Sequence, residues 1–134
     1  MQTLTLPGSK SITNRDLILA SFCEGKTILK GCLESKDTKY MIEALREFGI
    51  EIKDLGSYTL EINGGIDKLK TPEKSIFLGQ SGTCLRFLLG VAILVCDEEI
   101  TFTGEHRLLE RPLKDLFDGI EQLGINVDYK PGEY

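Results

Sequence analysis

The chain has 134 residues, a length that suits one ordinary domain with its own core. Hydrophobic residues make up 41% and charged residues 28%, the balance of an ordinary globular protein. There is no tryptophan, aromatics are only 7%, and the net charge is -5, which argues against a base-stacking platform, a duplex binder or an anionic-membrane binder.

The predicted elements fall into two copies of one unit. Residues 2–6 read as a strand that Pro7-Gly8 breaks. Residues 11–23 read as a helix entered from a Gly-Ser-Lys turn, and a β-rich run then ends at Gly31. A polar loop leads to a helix whose apolar stripe is Met41, Ile42, Leu45 and Phe48. Gly49 suits the left-handed residue after that helix. Residues 50–55 alternate apolar and polar side chains as a half-buried strand does. A turn at Leu55-Gly56-Ser57-Tyr58 returns the chain as a second strand over residues 58–63.

The second copy repeats this order. A strand leads through a Gly-Gln-Ser-Gly turn into a helix over residues 82–95, and a β-rich run ends at Gly104. After a polar loop, Pro112 suits the first turn of a helix whose stripe is Leu113, Leu116, Phe117, Ile120 and Leu123. Gly124 answers Gly49, and residues 125–130 answer residues 50–55. The expected class is α+β, built from repeated βαβαββ units. Residues 1–8 form the first strand and a crossover, residues 9–65 unit one, and residues 75–134 a shortened unit two. The second copy stops at Lys130-Pro131-Gly132-Glu133-Tyr134, in the place of the first copy's hairpin turn, so a piece of a longer protein is expected.

Cys23, Cys32, Cys84 and Cys96 make no C-x-x-C pair, and His106 is the only histidine, so no zinc pattern is present. No apolar leader opens the chain, and the run 87–96 is too short to span a bilayer. Free thiols in a reducing cytoplasm are the simplest expectation.

Three basic clusters precede helices. Lys10, Ser11 and Arg15 surround the start of the first helix, which Ser9, Ser11 or Thr13 can cap. Unpaired amides, an ammonium, a hydroxyl and a guanidinium together form a chemically complete cradle for phosphate or carboxylate. The plain alternative is a capped helix with solvated charges. Gly79, Gln80, Ser81, Gly82, Thr83 and Arg86 form the second cluster, where missing side chains let an anion reach the backbone; a tight packing turn is the alternative. The third is Gly104 to Pro112, where Arg111 is expected beside a helix N-cap, electrostatically poor without an anion. A surface pair of Arg111 with Glu110 or Asp115 is the bland reading. Cys84 reads as a buried filler rather than a reactive thiol, His106 as a bystander, and Asp37 as a helix cap with Ser35 or a partner for an arginine.

Taken together, these segments resemble the EPSP synthase family. The opening motif P-G-S-K-S-x-x-N-R is met in full by Pro7 to Arg15. A G-N-[AS]-G-T-x-x-R loop appears as Gly79 to Arg86, and T-G-[DE]-x-R-x-x-x-R-P appears as Thr103 to Pro112. The resemblance implies transfer of the enolpyruvyl group of phosphoenolpyruvate to the 5-hydroxyl of shikimate 3-phosphate, with no metal or organic cofactor. It implies that Lys10, Ser11 and Arg15 hold shikimate 3-phosphate, and that Lys10, Gly82 and Arg111 hold phosphoenolpyruvate. Lys10 and Arg111 would be catalytic, with Asp37, Thr83 and Arg86 in support. It also implies two lobes of three units each, of which this chain carries about two units of one, so turnover needs the C-terminal part of the same protein as partner. Gln80 departs from the usual Asn, Lys36 from a common Asp, and Phe87 from the Pro of some members. The related UDP-N-acetylglucosamine enolpyruvyl transferases carry Lys-Asn in the opening motif and a cysteine before the Arg-Pro step. Ser11 and the cysteine-free stretch from Gly104 to Arg111 speak against them. An RNA 3′-end cyclase relative fits the acidic balance and the motifs poorly. A non-catalytic structural fragment is the remaining alternative.

Overall fold

The computed structural model describes residues 6–95 and 98–129. Helix α1 spans Lys10–Phe22 and starts at Ser9, whose hydroxyl accepts the Ile12 amide at 3.5 Å. Of the three candidate caps, Ser9 is the one used. Thr13 instead turns inward and accepts the Leu33 amide at 3.0 Å, which fastens the helix to the loop after strand β1 (Gly25–Lys30). The inward face of α1 is unusually polar: Thr13, Asn14 and Ser21 are buried beside Leu17 and Ala20, while Ile12 and Leu19 are exposed.

Helix α2 (Lys36–Glu47) opens with a capping box. Thr38 N–H donates to Ser35 Oγ at 3.2 Å, and Ser35 N–H donates to Thr38 Oγ1 at 2.9 Å. Asp37 therefore takes no part in capping. Met41, Leu45 and Phe48 of the expected stripe are fully buried, with Ala44 beside them, whereas Ile42 is half-buried. Gly49 ends the helix at φ +95°, and the Ile50 amide reaches back to the Leu45 carbonyl at 3.0 Å, a Schellman closure. Gly124 repeats the left-handed exit at φ +84°.

Strand β2 (Glu51–Gly56) and strand β3 (Thr59–Gly64) form the predicted hairpin. Ser57 and Tyr58 both have positive φ in its turn, which matches the right-handed twist of the flanking strands. The sheet order is β1-β3-β2, all antiparallel, with Gly25 opposite Gly64 and Lys30 opposite Thr59. Gly64 sits against the end of α1. A Cβ there would lie 2.1 Å from the Ala20 carbonyl oxygen and 2.6 Å from that of Cys23.

In the second unit, strand β4 (Ile76–Phe77) pairs in parallel with strand β5 (Phe102–Thr103), and helix α3 (Gly82–Ala92) forms the crossover between them. The α-helix is shorter than predicted, since Ile93–Val95 tightens into a 3-10 turn. The polar loop expected after β5 contains a short helix, α4 (His106–Leu109). Helix α5 (Lys114–Gln122) follows. One core joins both units: Leu17, Met41, Leu45, Phe48, Ile62, Leu78, Leu88, Val91 and Leu108 belong to the same buried cluster.

Two predicted strands call for comment. Residues 2–5 lie outside the described residues, and Leu6 is irregular. The strand expected at 125–130 is not formed over 125–129, and Lys130 lies outside the described residues. The first unit shows the reason. There β2 bonds only to β3, the strand between it and β1. By the offset between Gly49 and Gly124 (124 − 49 = 75), the counterpart of β3 would start at residue 134 (59 + 75). Among the described residues, 125–129 have no ladder partner, and unpaired strands do not persist. Tyr129 instead packs on Phe117 at 5.0 Å between ring centroids, and its hydroxyl donates to the Leu109 carbonyl at 2.7 Å.

Gly64→Ala is expected to destabilise the chain by about 2–3 kcal/mol, because the new methyl meets rigid backbone rather than a movable side chain. Urea unfolding followed by circular dichroism measures it, and a loss under about 0.5 kcal/mol would refute the close approach.

Candidate functional site

The three basic clusters meet where the N-terminal turns of α1, α2 and α3 come together. Cys84 is at the centre. It is fully buried in the first turn of α3, and its thiol donates to the Asp37 carbonyl at the start of α2 at 3.2 Å. The Asn14 amide of α1 lies 3.8 Å from the same sulfur. Burial pushes the Cys84 thiol above its ordinary value, as it does the Cys32 thiol, and Cys84 serves as a packed junction. Asn14 is wholly buried, and its Oδ1 has no hydrogen-bond partner among the described residues. Sequence reading assigned Asn14 no role. Its spacing of three from buried Leu17 placed it on the core face of α1, where a buried amide costs free energy unless bonded.

The side chains expected to bind anions surround this junction. Lys10 pairs with Asp37 at 2.9 Å, so Asp37 serves the lysine and not an arginine. The Arg15 guanidinium lies 5.7 Å from the centre of the Phe87 ring and donates to the Ser11 carbonyl at 3.0 Å. Ser11 and Thr83 are exposed in the first turns of α1 and α3. Arg86 ties two loops together, donating from Nη1 to the Gly82 carbonyl and from Nη2 to the Pro112 carbonyl, both at 3.3 Å. Arg111 comes within reach of Gly82: a Cβ on Gly82 would lie 3.5 Å from its Nε and 3.2 Å from Arg86 Nη1.

Two expectations change. Arg111 does not stand beside a helix N-cap, because α5 starts at Lys114 with Leu113 as its cap residue. It lies just past the C-terminus of α4, and its amide donates to the Leu108 carbonyl at 3.1 Å. A cation is tolerated there, so backbone electrostatics alone do not demand an anion. The Gly82 amide does not stand open either, since it donates to the Gln80 carbonyl at 3.0 Å.

The charge pattern is more telling. Among the described residues none of the five arginines (Arg15, Arg46, Arg86, Arg107 and Arg111) has a carboxylate oxygen within ion-pairing distance. Carboxylates pair instead with Lys10, Lys26, Lys39, Lys53, Lys74 and Lys114, and Glu110 takes His106. In a chain of net charge -5, the three guanidiniums of Arg15, Arg86 and Arg111 are thus left to one neighbourhood without an acidic partner. Planar guanidiniums bind carboxylate and phosphate in two-pronged fashion.

Residues 1–134 match the family described as EPSP synthase (3-phosphoshikimate 1-carboxyvinyltransferase). The chain belongs to the EPSP synthase family. It is 37% identical over 131 residues to the 3-phosphoshikimate 1-carboxyvinyltransferase of Ralstonia pickettii, covering 98% of this chain and 30% of that protein. It is 44% identical over 133 residues to the pentafunctional AROM polypeptide of Schizosaccharomyces japonicus, covering 94% of this chain and 8% of that one. The solved EPSP synthase of Acinetobacter baumannii superposes with a TM-score of 0.81 at 28% identity, over 92% of this chain and 28% of that one. The chain thus spans about 30% of the length of the single-function relatives it matches. The fold is that of EPSP synthase, a mixed α and β architecture with the repeated unit described above. No described helix is long and apolar enough to cross a membrane.

Two measurements check this geometry. Gly82→Ala is expected to weaken phosphate or phosphoenolpyruvate binding about 10-fold by displacing both guanidiniums. Stability should stay within about 1 kcal/mol, because alanine suits a helix; an unchanged affinity in an isothermal titration would count against the site. Second, Cys32 and Cys84 keep their protons in the fold while the unfolded chain's thiols ionise near their ordinary value of 9.0. The folded state then holds more protons, so stability declines as pH rises through and above that value. Unfolding midpoints at pH 8 and pH 10 measure the decline, and its persistence undiminished in a Cys32→Ala, Cys84→Ala double variant would exclude the thiols as the cause.

Proposed function

We propose that this chain supplies the cationic part of an enolpyruvyl transferase site, working in the cytoplasm on phosphoenolpyruvate and shikimate 3-phosphate. The observation that carries the proposal is the cluster of Lys10, Arg15, Arg86 and Arg111 around the start of α3, with the arginines free of carboxylates among the described residues. Both substrates are polyanions. The reaction adds the acceptor's 5-hydroxyl oxygen to C2 of phosphoenolpyruvate with protonation of its methylene carbon. Loss of that proton and breakage of the C–O bond to phosphate then regenerate the enol ether. Charge moves onto the departing phosphate, and fixed cations stabilise it there without reorganising.

Under this reading Lys10 bridges both substrates, releasing Asp37 as a ligand arrives. Ser11 and Arg15 hold the 3-phosphate of the acceptor. Arg111 and the Gly82 backbone hold phosphoenolpyruvate, with Thr83 and Arg86 shaping the loop. Proton exchange at the methylene carbon calls for acid and base groups that the family resemblance assigns to the other lobe. That task falls to the remainder of the protein, which is the partner the chain requires.

In the full-length enzyme, Arg111→Ala is expected to lower kcat/KM for phosphoenolpyruvate about 100-fold or more. Arg46→Ala, whose guanidinium serves the Ile52 carbonyl at the opposite end of α2, is the control and should change it less than about threefold. A similar loss in both, or no enolpyruvyl shikimate 3-phosphate formed by the unaltered enzyme, would remove the assignment. The 134-residue chain alone is expected to show no turnover in the same assay.

A further inference from the structure

The turn that carries Gly82 is held in a state that occupies its amide. Three serines cap the helices of this site, and two of them have extended backbones: Ser9 at ψ 128° and Ser35 at ψ 168°. Ser81 differs, with φ -81° and ψ 83°. Those values are close to an inverse γ-turn, in which the carbonyl of the preceding residue accepts the amide of the following one. The Gln80 carbonyl accordingly takes the Gly82 amide at 3.0 Å. An anion that seeks this amide must displace that carbonyl, which needs Ser81 to rotate toward the extended backbone of its two counterparts.

The same Gln80 is fastened by its side chain. Its Nε2 donates to Glu105 Oε2 at 2.5 Å, and the Glu105 amide donates to the Gly79 carbonyl at 2.8 Å. Gly79 itself cannot shift freely. It has φ +54°, and a Cβ there would lie 2.5 Å from the Tyr40 ring, which packs edge-on against Phe77 at 5.8 Å. The loop is therefore anchored on its β4 side, and the Gln80–Glu105 bond ties the Gln80 side chain to the segment after β5.

We propose that Gln80 and Glu105 form a latch that keeps the Gly82 amide on the Gln80 carbonyl, and so lowers the affinity of the site for phosphoryl anions. Gln80 and Glu105 are positioning residues: they act through the turn. The proposal deepens the functional reading above and rests on Gly82 as a phosphoenolpyruvate contact. The latch is exposed at both ends, so its release gives a modest effect: one such bond corresponds to about a threefold to fivefold change in binding. A closed state favoured by that factor reduces apparent affinity in the same proportion.

The test is steady-state kinetics of the full-length enzyme with Gln80→Asn, Glu105→Ala, Glu105→Gln and the Gln80→Asn, Glu105→Ala pair. Asparagine is one methylene too short to reach Glu105. Gln80→Asn and Glu105→Ala are expected to lower KM for phosphoenolpyruvate about threefold to fivefold. KM for shikimate 3-phosphate should not move, the pair should match either single change, and Glu105→Gln should stay near the unaltered enzyme because it retains an acceptor. A merely structural role would raise KM, and a KM for phosphoenolpyruvate that rises or does not change overturns the latch. Should the unaltered enzyme form no product, the functional reading fails. The latch is then judged by the Gly82 amide resonance on titration with inorganic phosphate. A lower phosphate Kd in Gln80→Asn upholds it, and an equal Kd, or no response in either protein, overturns it.

Discussion

The site depends on one buried junction. Cys84 donates to the Asp37 carbonyl and touches Asn14, so the N-terminal ends of three helices from two repeats share a single contact point. Lys10 and Arg15 come from the first unit and Arg86 and Arg111 from the second, so the full set of cations forms only where the two units pack together. The thiol suits this place because it is small, apolar enough to bury and still able to donate one weak hydrogen bond. The same burial raises its pKa.

Charge is distributed in a way that favours anions at that junction. Where the acidic side chains of the described residues form ion pairs, their partners are lysines, which are flexible and strongly hydrated, or His106, and the arginines are left to carbonyls, a ring or solvent. Lys10 is the exception within the cluster, and its partner Asp37 sits in the first turn of α2, where a carboxylate is favourable in any case. Asp37 is therefore stabilised by the helix as well as by Lys10. Arg86 is held differently. Its two bonds to the Gly82 and Pro112 carbonyls make it a brace between the second and third clusters.

Much of this was legible in the sequence because it depends on local rules. The hairpin of β2 and β3, the helix ends at Gly49 and Gly124, and the buried stripe of α2 follow from turn chemistry and periodicity. Repetition made the two units visible and hinted that clusters preceding helices could converge, and the family resemblance pointed to Lys10, Arg15, Gly82, Arg86 and Arg111. The strand at 125–129 failed for a non-local reason: a strand needs neighbours, and in this topology the neighbour comes later in the chain.

The sequence by itself determined the order of most helices and strands, the left-handed helix exits and which residues carry positive charge, since caps, glycines and apolar periods act within a few residues. Tertiary structure alone decided what those groups face. It placed Asp37 on Lys10, put Arg111 past the end of α4, buried Asn14 and turned the Gly82 amide onto Gln80. These are contacts between separate elements or choices of a single backbone angle. They are fixed by packing many residues away, which no local pattern encodes.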